Sequence, residues 1–324
     1  MVNQFWGHWA QRGLRAVAAS ALVLLAACGS SSKYEEFIPT RIVSIGDQLS
    51  YIGTNGYDRF TVNNVSGETT EVNNWVLQLA ANYGLTLNPA TSSWATATES
   101  LNLVSNLTNQ IANVTTPLAG DMLVVNAGMA DIISWTNLVL AGTKTTTEAL
   151  TAISTAGTNY QTFVLAQQAS YKHILILNAY DLKDSPYATA NLSSTRFSGY
   201  NSSFNSGLTG IRGFLHDMTR TFNTALIRNA GTFPAGSGVR LYDVETLFLN
   251  ANLYGTGITD LTSRACPTSS GAGCKHGLTA GTSTSDLNTN YNTLLFADDT
   301  FPTPVAHQML GSQVYAFLRG VKGW

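Results

Sequence analysis

Four short apolar runs punctuate the chain, at residues 41–45, 121–126, 173–178 and 239–244. Each is too short for a stable helix and nearly continuous in apolar side chains, the pattern of a strand buried on both faces. Much longer stretches of helical period separate them. Residues 71–83 carry Val72, Val76, Leu79 and Ala80, and residues 101–114 carry Leu103, Leu107, Ile111 and Val114. Residues 148–168 carry Leu150, Ile153, Tyr160 and Val164, and residues 204–228 carry Leu208, Ile211, Leu215, Met218 and Phe222. A last helix is expected over 304–318, opened by Pro304, whose missing N–H costs nothing at a helix start. Strands joined by helices of this length pair in parallel, so the expected class is α/β with a mainly parallel sheet covered on both faces. Ligands of such sheets bind beyond the carboxyl ends of the strands. That directs attention to the residues after Ile45, Val125, Leu177 and Val244.

No GxGxxG or Walker sequence follows any of these runs, so no nucleotide cofactor is implied. Charged residues make up 11% of the chain and the net charge is −2, which argues against a nucleic-acid partner. No internal repeat and no second composition break divides the chain, and one domain over 38–324 is expected.

The N-terminal 27 residues have the form of an export signal. Arg12 and Arg15 precede an apolar run ending Leu25-Ala26-Ala27-Cys28-Gly29, too short to span a bilayer. The ending is similar to a bacterial lipobox, which makes Cys28 the expected lipidation site and residues 28–37 a tether. Gly29 after the cysteine favours the outer membrane. The expected location is therefore the bacterial cell envelope, with a membrane partner through the lipid. An exported chain meets an oxidising compartment, so Cys266 and Cys274 are expected to pair. Two thiols in a Gly/Ser loop make a poor zinc site, and His276 reads as a solvated loop residue.

Three blocks stand at the expected strand ends and near the C-terminus: Gly46-Asp47-Gln48-Leu49-Ser50, Gly128-Met129-Ala130-Asp131 and Asp298-Asp299-Thr300-Phe301-Pro302-Thr303. In order and spacing they resemble the SGNH, or GDSL, family of ester hydrolases. The stretches Asn74-Trp75, Ser185-Pro186-Tyr187-Ala188 and Leu241-Tyr242-Asp243-Val244 are similar too, so the resemblance covers most of 38–318. It implies a three-layer α/β/α sandwich with a flavodoxin-like sheet. It also implies a serine nucleophile, a histidine base oriented by an aspartate, and an oxyanion hole built with a glycine and an asparagine.

Carried over residue by residue, only Asp298 of that triad is retained. Gln48 stands at the serine position, Ala130 at the oxyanion asparagine and Phe301 at the histidine; Gly67 is assigned to the glycine donor without a motif to fix it. An amide is no nucleophile, phenylalanine accepts no proton and alanine offers no donor. Ser50 and His307 are weak rescue candidates. Ser50 follows Gln48 by two residues and is turned away from its direction, and His307 reads as a surface or packing residue near the start of the closing helix. Ser44, His173 and His216, the last beside Asp217, read as structural, and Asp298-Asp299 reads as a solvated turn and not a cation pair. Asp47, Gln48, Gly128, Ala130 and Phe301 are the expected lining of any ligand pocket, either an apolar cleft for an acyl or ester-like ligand or closed core.

The expected function is an SGNH-like lipoprotein without serine-esterase activity, in a ligand-binding or envelope-accessory role. The alternatives are a carboxylic-ester hydrolase with a displaced catalytic set and a structural surface lipoprotein.

Overall fold

The computed structural model describes residues 36–52, 59–64, 74–87, 103–113, 116–227, 233, 237–266, 275–276 and 290–320. Their strands are β1 (Arg41–Gly46), β2 (Asn63–Asn64), β3 (Asp121–Asn126), β4 (His173–Leu177), β5 (Val239–Tyr242), β6 (Asp260–Arg264), β7 (Lys275–His276) and β8 (Leu294–Phe296). Their helices are α1 (Trp75–Asn82), α2 (Leu107–Ala112), α3 (Met129–Leu140), α4 (Thr146–Gln167), α5 (Pro186–Ala190), α6 (Gly210–Leu226), α7 (Val244–Leu249) and α8 (Pro304–Gly320). All of these elements fall in one compact unit, Ile38–Val321.

The four apolar runs form one parallel sheet in the order β1-β3-β4-β5. The chain is thus α/β with a parallel four-stranded sheet. Every residue of β3 is buried, as are all but the first of β1 and of β4, so both faces of these strands are covered. α4 packs along α6 and α1 along α8, each pair far apart in sequence. Each pair closes at a glycine. A Cβ at Gly157 would lie 2.5 Å from the Phe222 carbonyl oxygen, and one at Gly311 would lie 2.6 Å from that of Trp75.

The ends of the elements depart from the periodic reading for local chemical reasons. The stripe over 204–228 becomes helix only from Gly210. The carboxylate of Asp217 takes hydrogen bonds from the Tyr200 hydroxyl at 2.8 Å and the Ser203 backbone N–H at 2.7 Å, and another from the Ser202 hydroxyl. That network holds 200–204 as a loop against the helix. Likewise β5 stops at Tyr242, because Asp243 caps α7 by accepting from the Thr246 N–H at 3.1 Å. The stretch 101–114 divides into a short 3-10 turn, Val104–Asn106, and α2. α3 was not expected as a helix, although Ile132, Ile133, Thr136 and Val139 form a buried stripe at helical spacing. His276 lies in β7, which pairs with β2, and not in a loop. No helix among the described residues is long and apolar enough to cross a membrane.

Cys266 is disulfide-bonded and packs with Val62, Ala265, Tyr291, Leu294 and Ala297. Cys28, Gly67 and Cys274 lie outside the described residues.

Candidate functional site

The block after β1 enters the interior at once. Asp47 caps a 3-10 turn, Gln48–Ser50, accepting at Oδ1 from the Leu49 N–H at 3.1 Å. Its Oδ2 accepts from the N–H of Met129, the first residue of α3, at 3.1 Å. Oδ1 also takes a hydrogen bond from the Asn126 side-chain amide at the end of β3. One carboxylate therefore joins the end of β1, the end of β3 and the start of α3. Burial holds its proton tightly, raising Asp47 to about 7 against three donors that pull the other way. Asp131, one turn into α3, is likewise raised by burial to about 6 and accepts from the Val104 N–H at 2.9 Å.

Ser50 lies in the same network. Its hydroxyl donates to Asn126 Oδ1 and accepts from the Trp75 indole N–H at 3.1 Å. His307, fully buried on α8, accepts at Nδ1 from the Trp75 backbone N–H at 3.2 Å. That N–H opens α1 and would otherwise lack a partner. A backbone N–H only donates, so the neutral His307 ring carries its proton on Nε2; the ring also hydrogen-bonds the Phe60 backbone. Burial lowers the ring to about 3, and it stays neutral across the physiological range. The lone pair that a general base needs is taken.

The last block is buried as well, and not the solvated turn expected of paired aspartates. Asp298 Oδ1 accepts from the backbone N–H groups of Thr300 at 2.7 Å and Phe301 at 2.5 Å. Asp299 instead pairs with Arg264 at 2.6 Å, so the two carboxylates serve different partners. Phe301 is 5% exposed and its ring packs 5.2 Å from that of Phe60, which in turn meets Tyr51 at 5.9 Å. Ala130 is wholly buried at the start of α3. Both positions that the resemblance assigns to the oxyanion asparagine and the histidine are thus occupied by buried apolar side chains. Gly128 has φ +112°, and a Cβ there would stand 2.4 Å from the Phe222 ring. Gln48 is 2% exposed, and its Oε1 has no hydrogen-bond partner among the described residues.

Set against known proteins, the chain matches no family model and no curated protein.

A second group lies beyond β4 and β5, where sequence reasoning placed a ligand end but read His216 as structural. His216, Arg220 and Asn223 share one face of α6 at i, i+4 and i+7. Asn223 clamps the exit of β4, accepting from the Ala179 N–H at 2.9 Å and donating to its carbonyl at 2.8 Å. Asn178 accepts from the Val244 N–H at 2.7 Å, which fixes the first turn of α7 and with it Glu245. These clamps bring Asp181, His216 and Glu245 together, with donor atoms all within 4.8 Å of one another. The partner of His216 is Asp181, at 2.7 Å, and not its neighbour Asp217. The missed signal was the i+7 pairing of a histidine with an asparagine on a helix that passes two strand ends.

Proposed function

We propose that this protein is an SGNH/GDSL-like lipoprotein of the bacterial envelope, anchored through Cys28, that has no serine-esterase activity and acts as an accessory or binding component. The observation that carries this reading is the engagement of both rescue groups. The Ser50 hydroxyl is bound into the Trp75–Asn126 chain, and the acceptor nitrogen of His307 is used by the Trp75 N–H. No nucleophile–base pair forms from them, and Gln48, Ala130 and Phe301 supply none. The parallel sheet with Asp47, Gly128 and Asp298 at the ends of their elements supports the three-layer SGNH arrangement. The buried amide oxygen of Gln48 is an acceptor that a hydroxyl of an acyl or ester-like ligand would satisfy.

The test uses the full chain in detergent, with p-nitrophenyl esters of several lengths and a fluorophosphonate probe. No turnover and no labelled serine are expected; labelling of any serine overturns the reading in favour of a hydrolase with a displaced set. The combined change Gln48→Ser, Ala130→Asn and Phe301→His is expected to gain probe labelling at position 48. A folded but inert triple variant counts against the residue assignments. Anchoring has its own check. Cys28→Ser is expected to abolish incorporation of labelled palmitate and release the protein from membranes into the soluble fraction. Retention of both would show that the lipobox reading is mistaken.

A further inference from the structure

We propose that Asp181, His216 and Glu245 form a binding site for one divalent cation of the zinc or manganese class, at the carboxyl ends of β4 and β5. The inference is independent of the serine-esterase reading, since none of the three residues belongs to the blocks on which that reading rests.

The chemistry of the donor set comes first. Two carboxylates and an imidazole suit Zn2+ or Mn2+, whereas Ca2+ and Mg2+ prefer oxygen alone. In a tetrahedral zinc site, bonds of about 2.0–2.1 Å put neighbouring donor atoms about 3.3 Å apart. Donor atoms already within 4.8 Å reach that spacing by small side-chain rotations. Three protein ligands leave a fourth position for water or a bound ligand.

The outer partners point the same way. In each carboxylate one oxygen is held by a neutral donor. Asp181 Oδ1 accepts from the Lys183 N–H at 2.8 Å, and Glu245 Oε2 accepts from the Asn223 side-chain amide at 2.9 Å. Asp181 Oδ2 faces His216 at 2.7 Å, and Glu245 Oε1 makes a long 3.5 Å contact with Arg220. Such hydrogen bonds aim metal-binding carboxylates and add to affinity. The side chains of Asp181 and Glu245 are 0% and 7% exposed, so two carboxyl groups lie side by side away from water. Their positive neighbour, Arg220, reaches Glu245 Oε2 only at 3.3 Å and is 45% exposed. A guanidinium so placed can swing into water on its apolar stem and make room for an ion.

The test is calorimetric titration of Zn2+ and Mn2+ into the full chain, carrying no affinity tag and stripped of metal with a chelator. One saturable site per chain is expected. His216→Ala and Glu245→Gln are each expected to remove it, and Asn223→Ala to weaken it by about 10–100-fold. Arg220→Gln removes the competing cation from the exposed rim and is expected to tighten binding several-fold. Circular dichroism reports whether each variant is folded, and the Arg220 variant carries the test if the others are not. Absence of saturable binding of both ions overturns the proposal. So does binding whose affinity is the same in the Arg220 variant and in every other folded variant.

Discussion

Gly46→Ala is expected to leave the chain unfolded at 25 °C. Gly46 is the last residue of β1 and has φ +136°, a backbone conformation closed to residues with a side chain. It stands opposite Asn126 in the parallel register. A Cβ there would lie 1.7 Å from the Asn126 carbonyl oxygen and 2.8 Å from its carbonyl carbon. The backbone has no room to retreat. Gln110 accepts from the Gly46 N–H at 2.7 Å and donates to the Gly46 carbonyl at 2.9 Å, holding both sides of the residue. Relief requires β1 to part from β3 at its end, which also breaks the Asp47 N–H bond to Asn126 at 3.0 Å and the Ser50–Asn126–Asp47 network. Losses of this kind exceed about 4–5 kcal/mol, comparable with the whole stability of many domains. Gly84→Ala is the control. Its φ is +70° but a Cβ there meets nothing within 4 Å, so a cost of about 1–2 kcal/mol is expected from the conformation alone. Thermal melts followed by circular dichroism separate the two. A Gly46 variant melting within a few degrees of wild type would mean that the end of β1 is not packed on Asn126.

Asp47→Asn is expected to gain stability relative to wild type as the pH rises from about 4 to about 7. Burial raises the Asp47 carboxyl from its ordinary 3.8 to about 7. Within that window the folded chain keeps a proton that the unfolded chain has released. Raising the pH therefore favours unfolding, by about 1.4 kcal/mol per pH unit and about 4 kcal/mol over the window. Asparagine carries no such term. His307 works in the opposite sense. Its ring is lowered from 6.5 to about 3, so in acid the unfolded chain takes up a proton that the folded chain refuses. Its contribution is complete above 6.5 and is lost as the pH falls toward 3. Between about 4 and 6.5 the two slopes oppose one another, so wild type shows only their difference. Asp131, raised to about 6, adds to the Asp47 side. His307→Gln is then expected to gain on wild type as the pH falls through the same range. Chemical denaturation at a series of pH values measures each difference. Parallel curves for wild type and Asp47→Asn would show that Asp47 titrates at its ordinary value.

The groups behind these two results were legible to different degrees. The sequence marks Gly46 and Asp47 as belonging to one block at the end of an apolar run, and it places Gly128, Asp298 and Phe301 in blocks of their own. Their roles in packing are not visible there. Asp47 reads as pocket lining, yet it is a buried cap shared by two strand ends and a helix start. His307 reads as a surface or packing residue of α8; it is buried, and its bond to the first N–H of α1 joins residues 232 positions apart. Ser50 reads as turned away from the nucleophile direction, and the structure shows what takes its hydroxyl, Asn126, 76 positions on. The Asp181–His216–Glu245 group was missed because two of its members come from separate strand ends and the third from a helix that spacing alone assigns to the core.

Period and composition are local quantities, and what they specified was local: the four strands of the main sheet, the parallel pairing that helical connections require, and the ends of α4 and α8 to within two residues. The tautomer of His307, the proton on Asp47 and the meeting of Asp181 with His216 depend on which groups fold into hydrogen-bond distance across the chain. Burial then holds the proton on Asp47 and keeps His307 neutral. Only the tertiary structure decides those pairings, because a hydrogen bond and a desolvated carboxylate are properties of three-dimensional neighbours and not of spacing along the chain.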